Sequence, residues 1–381
     1  MMCDTSSDEN EFDDWFIESL KIYRSIHEYQ LEHPTRVFEW TGDKTICVAG
    51  YRLSKNEILE LLLPLKLFAD DNQGLCAERD FKVVHGGFTD GSINCLKHIP
   101  GTRCVITNDG CSSQLYVWDV GDDDSDVIKR TADIHLKTAS SDKGVKIDSC
   151  FTGNACVLHG SQVNDIQLTE LTSGAALYTV GTDVSDALSA LQFVSGSVYL
   201  ACSVDGDLYV GDTRVASPPL RSAAGGREAD HWSMGVRTDP SSPEPSSCCI
   251  ARLSSSCQVV VSDLRNLKSP VCQAQLNVQR KTTCDDFILV TWAPALENCL
   301  AVSGFDGMVQ IYDTASWRPE LMDFQPLFSH RGHMMSEYNV DTSPVVTTHV
   351  WHPSRPRTVL SAGVDGSVHV WDWVDNATDS C

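Results

Sequence analysis

The 381-residue chain lacks long apolar runs and is poor in positive charge. Its longest apolar stretch, residues 58–65, is interrupted by Glu60 and Pro64, and a membrane helix needs roughly 20 apolar residues. Lys and Arg total 29 against 52 Asp and Glu, which gives a formal net charge of −23. Such a surface repels phosphate backbones and anionic lipid. Direct binding of nucleic acid or of a membrane is therefore disfavoured.

The sixteen cysteines lack the spacing of a zinc site. No two of them are separated by two residues, and most lie in apolar, strand-like runs such as 45–49 and 298–302. Cysteines in such runs behave as small hydrophobic residues, so reduced structural thiols are expected. The chain also has no Gly-x-Ser-x-Gly, no phosphate-binding glycine loop and no His-Glu-x-x-His. The sequence therefore predicts no catalytic residue, no metal site and no cofactor.

The N-terminus has none of the features of a targeting segment. Its first fifteen residues contain six Asp or Glu and no Lys or Arg, the opposite of a secretory or mitochondrial leader. We therefore expect a cytosolic chain, or one that enters the nucleus by another route.

What the chain does contain is an internal repeat. Segments 201–214, 302–314 and 361–373 each combine a short apolar strand, an Asp-Gly turn and an alternating strand that ends at or next to Asp. Asp-Gly between alternating strands predicts a hairpin, with positive φ expected at both turn residues. Together with weaker copies, the third strands end at positions 119, 169, 212, 263, 313 and 372, which are 43 to 59 residues apart. These intervals match a four-stranded propeller blade with variable loops.

The repeats resemble those of the WD-repeat β-propeller family. Gly332-His333 precedes Trp371-Asp372 with 37 residues between the two pairs, similar to the paired Gly-His and Trp-Asp of that family. Six blades end at the positions above, and a seventh fits residues 36–88. The fold class predicted is all-β, a seven-bladed WD-repeat propeller, and the chain length accommodates seven blades of roughly 40 to 50 residues.

The last blade ends at its third strand, so its outer strand must come from elsewhere. We expect a strand near 26–32 to pair with 368–371 and close the ring. Apolar residues at three to four residue intervals between Phe12 and Ile26 predict a short helix before it. This helix either packs on the propeller or binds a partner. The predicted divisions are an acidic disordered tail (1–11), the helix and closing strand (12–35), the propeller (36–375) with loop insertions at 121–146 and 216–247, and a tail (376–381).

In the best-formed repeat, the resemblance implies a buried polar network. His333 bridges to Asp365, and Ser361 and the indole N–H of Trp371 complete the chain. Polar groups inside a blade are tolerated only when each donor finds an acceptor.

The Asp-Gly carboxylates are assigned to these structural polar networks as well. Asp205, Asp306 and Asp365 precede glycines in tight turns, where they can accept backbone N–H groups. The sixth blade keeps Ser303 and Asp306 but has Tyr312 in the Trp position. Its polar network is therefore expected to be partial.

Five residues are candidates for partner binding. Trp232 and Trp317 lie in or beside inserted loops, and each is a candidate anchor if exposed, the alternative being burial under its own loop. Arg331, Arg355 and Arg357 form a modest basic cluster that suits an acidic partner but is too small for a nucleic-acid-binding face.

Four longer runs, 12–20, 78–88, 292–313 and 352–375, resemble one branch of the WD-repeat family. That resemblance implies a non-enzymatic cytoplasmic assembly factor, monomeric outside complexes, which binds the RNA-endonuclease heterodimer of the Integrator complex. It also implies a location at spindle poles and the cleavage furrow in mitosis. An anionic scaffold that covers a basic RNA-binding cleft is compatible with this function.

Two alternatives remain open. Substrate receptors of cullin-type ubiquitin ligases resemble the chain in ending consecutive blades with Asp-x-Arg, as in 212–214 and 263–265. They differ in the residue before Asp, which is Trp or Tyr there but Gly211 and Ser262 here. A propeller enzyme with catalytic residues on the central axis is the other alternative, and no motif supports it.

Overall fold

The computed structural model describes residues 15, 17–52, 55–64, 80–112, 114–122, 124–135, 144–151, 153–223, 230–237, 248–281, 284–335 and 344–374. The predicted tails 1–11 and 376–381 lie outside these residues, as do parts of both predicted loop insertions. The predicted domain boundaries stay predictions. None of the described helices is both long and apolar enough to cross a bilayer.

The described residues form seven β-sheets, which are the seven predicted blades. The closing strand is β1 (Tyr23–Gln30). Blades one to three contain β2 (Thr35–Trp40), β3 (Thr45–Gly50), β4 (Asn56–Leu62) and β5 (Lys82–Thr89); β6 (Cys95–His98), β7 (Cys104–Asn108), β8 (Gln114–Asp119) and β9 (Lys129–His135); and β10 (Lys146–Phe151), β11 (Ala155–Gly160), β12 (Gln167–Glu170) and β13 (Ala176–Thr179). Blades four and five contain β14 (Leu188–Phe193), β15 (Val198–Ser203), β16 (Leu208–Asp212) and β17 (Leu220–Ser222); and β18 (Trp232–Arg237), β19 (Cys249–Ser254), β20 (Gln258–Asp263) and β21 (Cys272–Leu276). Blades six and seven contain β22 (Leu289–Trp292), β23 (Cys299–Ser303), β24 (Val309–Asp313) and β26 (Phe328–His330); and β27 (Val346–Trp351), β28 (Thr358–Gly363) and β29 (Ser367–Trp373).

The ring is closed by its N-terminal strand, as predicted. β1 pairs antiparallel with β29, with Ile26 opposite Trp371 and Tyr29 opposite Val368. The seventh blade therefore takes its outer strand from the start of the chain and its three inner strands from the end. This arrangement removes the open edge that β29 would otherwise present.

Apolar side chains are buried mainly between neighbouring blades. Seven hydrophobic clusters lie one at each of the seven junctions around the ring. The cluster between blades six and seven also contains Tyr23 of β1, packed with Trp371 and Trp373. Because Tyr23 belongs to this cluster, the closing strand is part of the core as well as of the sheet.

The fifth blade has an additional strand that the sequence did not predict. β25 (Met322–Phe324) comes from the long connection between β24 and β26, and it pairs parallel with β21, with Ala274 opposite Met322. Phe324 packs against Trp317 in the cluster between blades five and six. The pairing of β25 with β21 attaches the long connection of the sixth blade to the fifth blade.

In the Asp205-Gly206 and Asp365-Gly366 turns only the glycine adopts positive φ, and in Asp306-Gly307 neither residue does. Gly206 and Gly366 both have φ of 89°, whereas Asp205 and Asp365 do not have positive φ. The prediction of positive φ at both positions is therefore wrong. Asp365 stabilises its turn through Oδ1, which accepts the backbone N–H of Ser367 at 3.1 Å.

Among the described residues, helical structure is confined to short segments. Residue 15 and residues 17–22 are helical, directly before β1, and single 3₁₀ turns occur at Val163–Asp165, Asp285–Phe287 and Gly332–Met334. In the N-terminal helix, Ser19 is buried and Ile22 packs on the cluster between blades six and seven, while Ile17 and Leu20 are 55% and 70% exposed. One side of the helix thus packs on the propeller, and the other side presents exposed apolar side chains.

The described cysteines are free thiols, many of them buried. Burial raises the pKa of the Cys202 and Cys272 thiols to about 11, which keeps both protonated at neutral pH.

The propeller has two faces, because the innermost strands of all blades run in the same direction. We call the turn face the one that contains the connections into the innermost strands and the turns between second and third strands; the other is the opposite face. The described parts of the turn face are 31–34, 51–52, 55, 90–94, 109–112, 144–145, 161–166, 180–187, 204–207, 223, 230–231, 255–257, 277–281, 284–288, 304–308, 331–335, 344–345 and 364–366.

Candidate functional site

The predicted polar residues of the seventh blade form a continuous hydrogen-bonded chain. His333 Nε2 lies 2.8 Å from Ser361 Oγ, which also accepts the indole N–H of Trp371 at 3.1 Å. His333 Nδ1 lies 2.8 Å from Ser367 Oγ, and that hydroxyl donates to Asp365 Oδ1 at 2.7 Å. The path from His333 to Asp365 therefore passes through Ser367, a residue that the prediction did not include.

Ser361 connects this chain, so its hydroxyl can be tested directly. Ser361 is fully buried. Substitution S361A removes the partner of both Trp371 Nε1 and His333 Nε2, and a buried polar group left unsatisfied costs about 1–3 kcal/mol. We expect S361A to lower the free energy of unfolding by about 2–4 kcal/mol in urea denaturation. The exposed Ser185 provides a matched control, since S185A should change it by less than about 0.5 kcal/mol. Equal stability of S361A and the unmodified chain would contradict the network.

The sixth blade builds its network with a residue from the next blade. Ser303 Oγ lies 2.7 Å from His349 Nδ1, and His349 Nε2 lies 2.7 Å from Thr291 Oγ1. Burial lowers the pKa of His349 to about 3, so the imidazole is neutral. Asp306 Oδ1 accepts the N–H of Met308 at 2.9 Å, and burial raises the pKa of this carboxyl. His349 thus takes the role of the missing Gly-His histidine.

Asp205 does not belong to the buried network, contrary to the prediction. It is exposed in its turn. The buried carboxylate of the fourth blade is Asp207, whose Oδ2 accepts the Nε–H of Arg221 at 2.8 Å. The N–H of Asp207 donates to Ser203 Oγ at 3.0 Å. The reason is positional, because residue 205 starts the turn while residue 207 returns to the sheet.

Three histidines lie together beneath the turn face, at the junction of blades six and seven. His330, His333 and His369 are buried, and one nitrogen of each lies within 4.8 Å of the others. His330 Nε2 and His369 Nδ1 are 3.1 Å apart. Three such nitrogens are a composition that zinc accepts.

The ring geometry argues against a shared metal ion. His333 stacks on His369 with centroids 3.9 Å apart and 9° between the planes. A ligating nitrogen directs its lone pair within the ring plane, so an ion in the plane of one stacked ring is well out of the plane of the other. Both nitrogens of His333 also have serine hydroxyl partners. The cluster is better described as a hydrogen-bonded structural element.

The histidine cluster attaches the closing strand. The Tyr23 hydroxyl lies 2.8 Å from His330 Nδ1, and Glu28 Oε1 lies 3.8 Å from His369 Nε2. Tyr23 and Glu28 both belong to β1, whereas His330 and His369 belong to β26 and β29. The neighbouring imidazole of His369 lowers the pKa of the Glu28 carboxyl. Burial lowers the pKa of His330 well below its ordinary value.

Neither tryptophan proposed as a partner anchor is available. Trp232 is 0% exposed, because it starts the innermost strand β18 and packs against the α-carbon of Gly206. Trp317 is 4% exposed and packs against Tyr312 and Phe324. The structure therefore corrects the anchor hypothesis in favour of burial.

The three arginines do not form one cluster. Arg331 is exposed and follows β26 on the turn face, while Arg355 and Arg357 lie in the connection from β27 to β28 on the opposite face. The six residues of β27 separate the two locations by roughly 20 Å. Arg355 and Arg357 are half-buried, and their charges oppose the rise in the pKa of Asp372 that burial causes.

The two Asp-x-Arg endings form local ion pairs. Arg214 Nη2 lies 2.6 Å from Asp212 Oδ2, and Arg265 Nη2 contacts Asp263 Oδ2 in the same way. In each case the Asp Oδ1 also accepts the backbone N–H of its arginine at 2.9 Å. These contacts give both motifs a structural use at the end of a blade.

Three residues of these networks were missed because their partners lie on other segments of the chain. His349 acts across a blade boundary, whereas Ser367 and Asp207 find their partners within their own blade or the connection that enters it. The spacing from Gly366 to Ser367 and from Gly206 to Asp207 is the same, so a polar residue after Asp-Gly was the signal that could have identified two of them.

Comparison with known proteins places the chain in a family. No protein-family model matches it. A Danio rerio protein named Integrator complex assembly factor WDR73 is 58% identical over 381 residues, which cover 99% of this chain and 100% of that protein. The Homo sapiens protein of the same name is 44% identical over 375 residues, with 95% and 98% coverage. The Mus musculus protein is 42% identical over 367 residues, also with 95% and 98% coverage. The chain belongs to the WDR73 family. In this member of the WDR73 family, the buried polar residues stabilise the blades, which leaves the two faces and the rim as its interaction surfaces.

Proposed function

We propose that this chain is a non-enzymatic scaffold that binds the RNA-endonuclease heterodimer of the Integrator complex in the cytoplasm, before that module enters the nucleus. The observation that carries the proposal is the name Integrator complex assembly factor on relatives with 40–58% identity over at least 94% of this chain. A rigid closed ring suits this function, because it presents its loops in fixed positions without needing a catalytic group.

The turn face is the surface we assign to this contact. Its described connections and turns contain many more solvent-accessible carboxylates than cations. The carboxylates are Glu32, Asp90, Asp109, Asp165, Asp183, Asp186, Asp205, Asp230, Asp285, Asp286 and Asp365, and the cations on the same segments are Arg52, Lys55, Arg280, Lys281 and Arg331. A negative face is complementary to a basic RNA-binding cleft, and it speeds association with a basic surface.

Salt dependence and face-specific variants test this assignment. We expect the affinity of the full chain for the purified endonuclease heterodimer to fall about tenfold between about 50 and 300 mM salt, since the charges are screened. The triple substitution D90N/D183N/D205N on the turn face should weaken binding at low salt by a similar factor. The matched control D43N/E297Q/E320Q removes three exposed carboxylates from the opposite face and should leave the affinity unchanged.

Two outcomes would count against the proposal. Absence of binding would contradict the proposed partner. Binding that responds to neither salt nor the turn-face triple substitution would contradict only the assignment of the contact to the turn face. Calorimetry on purified components measures the affinity and its change with salt and with substitution.

The same proposal includes the location of the protein. We infer that it is cytoplasmic in interphase and present at spindle poles and the cleavage furrow in mitosis, which rests on the resemblance described above. Imaging of a tagged chain through the cell cycle tests this, and a uniformly nuclear signal would contradict it.

A further inference from the structure

A cavity of about 390 Å³ opens at the end of the central channel on the turn face. Residues from the innermost strands of several blades surround it, among them Arg36 at β2 and Lys146 at β10. The face around the cavity is acidic, yet its lining contains two cations and one carboxylate, Asp286. This local reversal of charge needs an explanation.

The guanidinium of Arg36 lies against two aromatic rings, and few of its N–H groups donate a hydrogen bond to a described residue. The guanidinium carbon lies 4.6 Å from the centroid of Tyr51 and 4.7 Å from that of Phe287, and these two centroids are 6.2 Å apart, so the group lies in the corner between two aromatic rings. Nη1 donates to Asn94 Oδ1 at 3.1 Å, and Nη2 donates to the Cys284 thiol at 3.8 Å. A guanidinium has five N–H donors. Most of those of Arg36 lack a strong acceptor among the described residues.

The nearest carboxylate does not neutralise Arg36 fully. Asp286 Oδ2 lies 3.8 Å from Arg36 Nη1, and the Asp286 side chain is 65% exposed while that of Arg36 is 21% exposed. An exposed ion pair at that separation is weak. Asp286 is therefore a competitor that an incoming anion can displace.

The second cation of the cavity has no described ion-pair partner. Lys146 is half-buried and forms no salt bridge within the described part of the chain. Asp148, two residues along β10, is instead oriented to Lys97, at 3.9 Å from its Nζ, and Lys97 Nζ also lies 3.4 Å from Glu39 Oε2. The carboxylates deeper in the channel are thus matched with Lys97. Arg36 and Lys146 remain as the cations of the opening.

We infer that this opening is an oxyanion-binding site in which Arg36 and Lys146 hold a phosphate or carboxylate group. A fixed guanidinium with free coplanar donors matches the geometry of such a group, and an ammonium adds charge without a geometric requirement. The anion belongs either to a small phosphorylated molecule or to an acidic or phosphorylated side chain of a protein partner. The inference is independent of the proposed partner, because it depends only on the charges of the channel opening.

Calorimetric titration of the full chain tests the inference. The probes are pyrophosphate, inorganic phosphate and a short peptide with one phosphoserine. We expect binding of at least one probe at millimolar concentration or below, and a loss of about tenfold or more in K146Q. In D286N, removal of the competing carboxylate should strengthen binding several-fold, a gain that a misfolded variant cannot produce.

The controls separate a built site from general charge. K281Q removes an exposed cation from the same face and should bind as the unmodified chain does. Tighter binding of pyrophosphate identifies a small molecule as the source of the anion, and tighter binding of the phosphopeptide identifies a partner segment. The inference is overturned if no probe binds, or if K146Q and D286N bind all probes with unchanged affinity.

Discussion

Deletion of residues 1–31 is expected to abolish the folded propeller. The deletion removes β1, and with it the outer strand of the seventh blade. Trp371 and Trp373 then lose their contacts with Tyr23, and β29 presents an open hydrogen-bonding edge. Loss of one large buried aromatic side chain alone costs about 3–5 kcal/mol, which approaches the whole stability of many domains. We expect the truncated chain to be aggregated in size-exclusion chromatography and to unfold without a cooperative transition.

A peptide added in trans distinguishes loss of closure from a general failure to fold. A separately encoded peptide of residues 15–32 contains the helical segment and all of β1. Its co-expression with the truncated chain should restore soluble monomeric protein, because the peptide can pair with β29 in the native register. The same peptide with Y23A and I26A should rescue poorly, since both side chains pack on the cluster between blades six and seven. A soluble truncated chain with an unchanged melting temperature would show that β1 does not close the ring.

The blade pattern and the closure were predictable from the sequence because their determinants are local. Each blade is a set of hairpins whose alternation and turn residues lie within about 50 residues of one another. The closing strand followed from a simple requirement, namely that a blade ending at Trp373 must receive its fourth strand from elsewhere. The structure confirms both predictions, with β1 opposite β29.

The candidate sites were much less predictable, because they depend on contacts between blades. Trp232 was assigned to an inserted loop, yet it starts β18 and is fully buried. The parallel pairing of β25 with β21 depends on where a long connection lands, which no local pattern encodes. Arg36 and Lys146 are separated by more than a hundred residues in the chain, and only the ring brings them to one cavity. A repeated sequence pattern therefore allows the fold to be predicted well, but not the sites that residues of different blades form together.

Mild acid is expected to destabilise the propeller strongly, because several histidines are buried in the neutral form. Burial lowers the pKa of His159 to about 4 and that of His349 to about 3, and it places those of His330 and His333 well below their ordinary value of 6.5. The unfolded chain therefore binds more protons than the folded chain below pH 6.5. The stabilisation is fully present above the unfolded pKa of 6.5 and is lost as the pH falls toward the folded pKa values.

The expected loss of unfolding free energy is large because the contributions of the four histidines add. At about one pH unit below the unfolded pKa, each contributes a loss of about 1.4 kcal/mol, or about 5–6 kcal/mol in total. Urea denaturation at about pH 7.5 and pH 5.5 measures this loss, in a window above the titration of most carboxylates. H159Q should reduce the difference in unfolding free energy between the two pH values by about 1.4 kcal/mol, whereas S185A, which removes an exposed hydroxyl, should not change it. A free energy of unfolding that stays constant across this window would mean that these imidazoles are not held neutral by the fold.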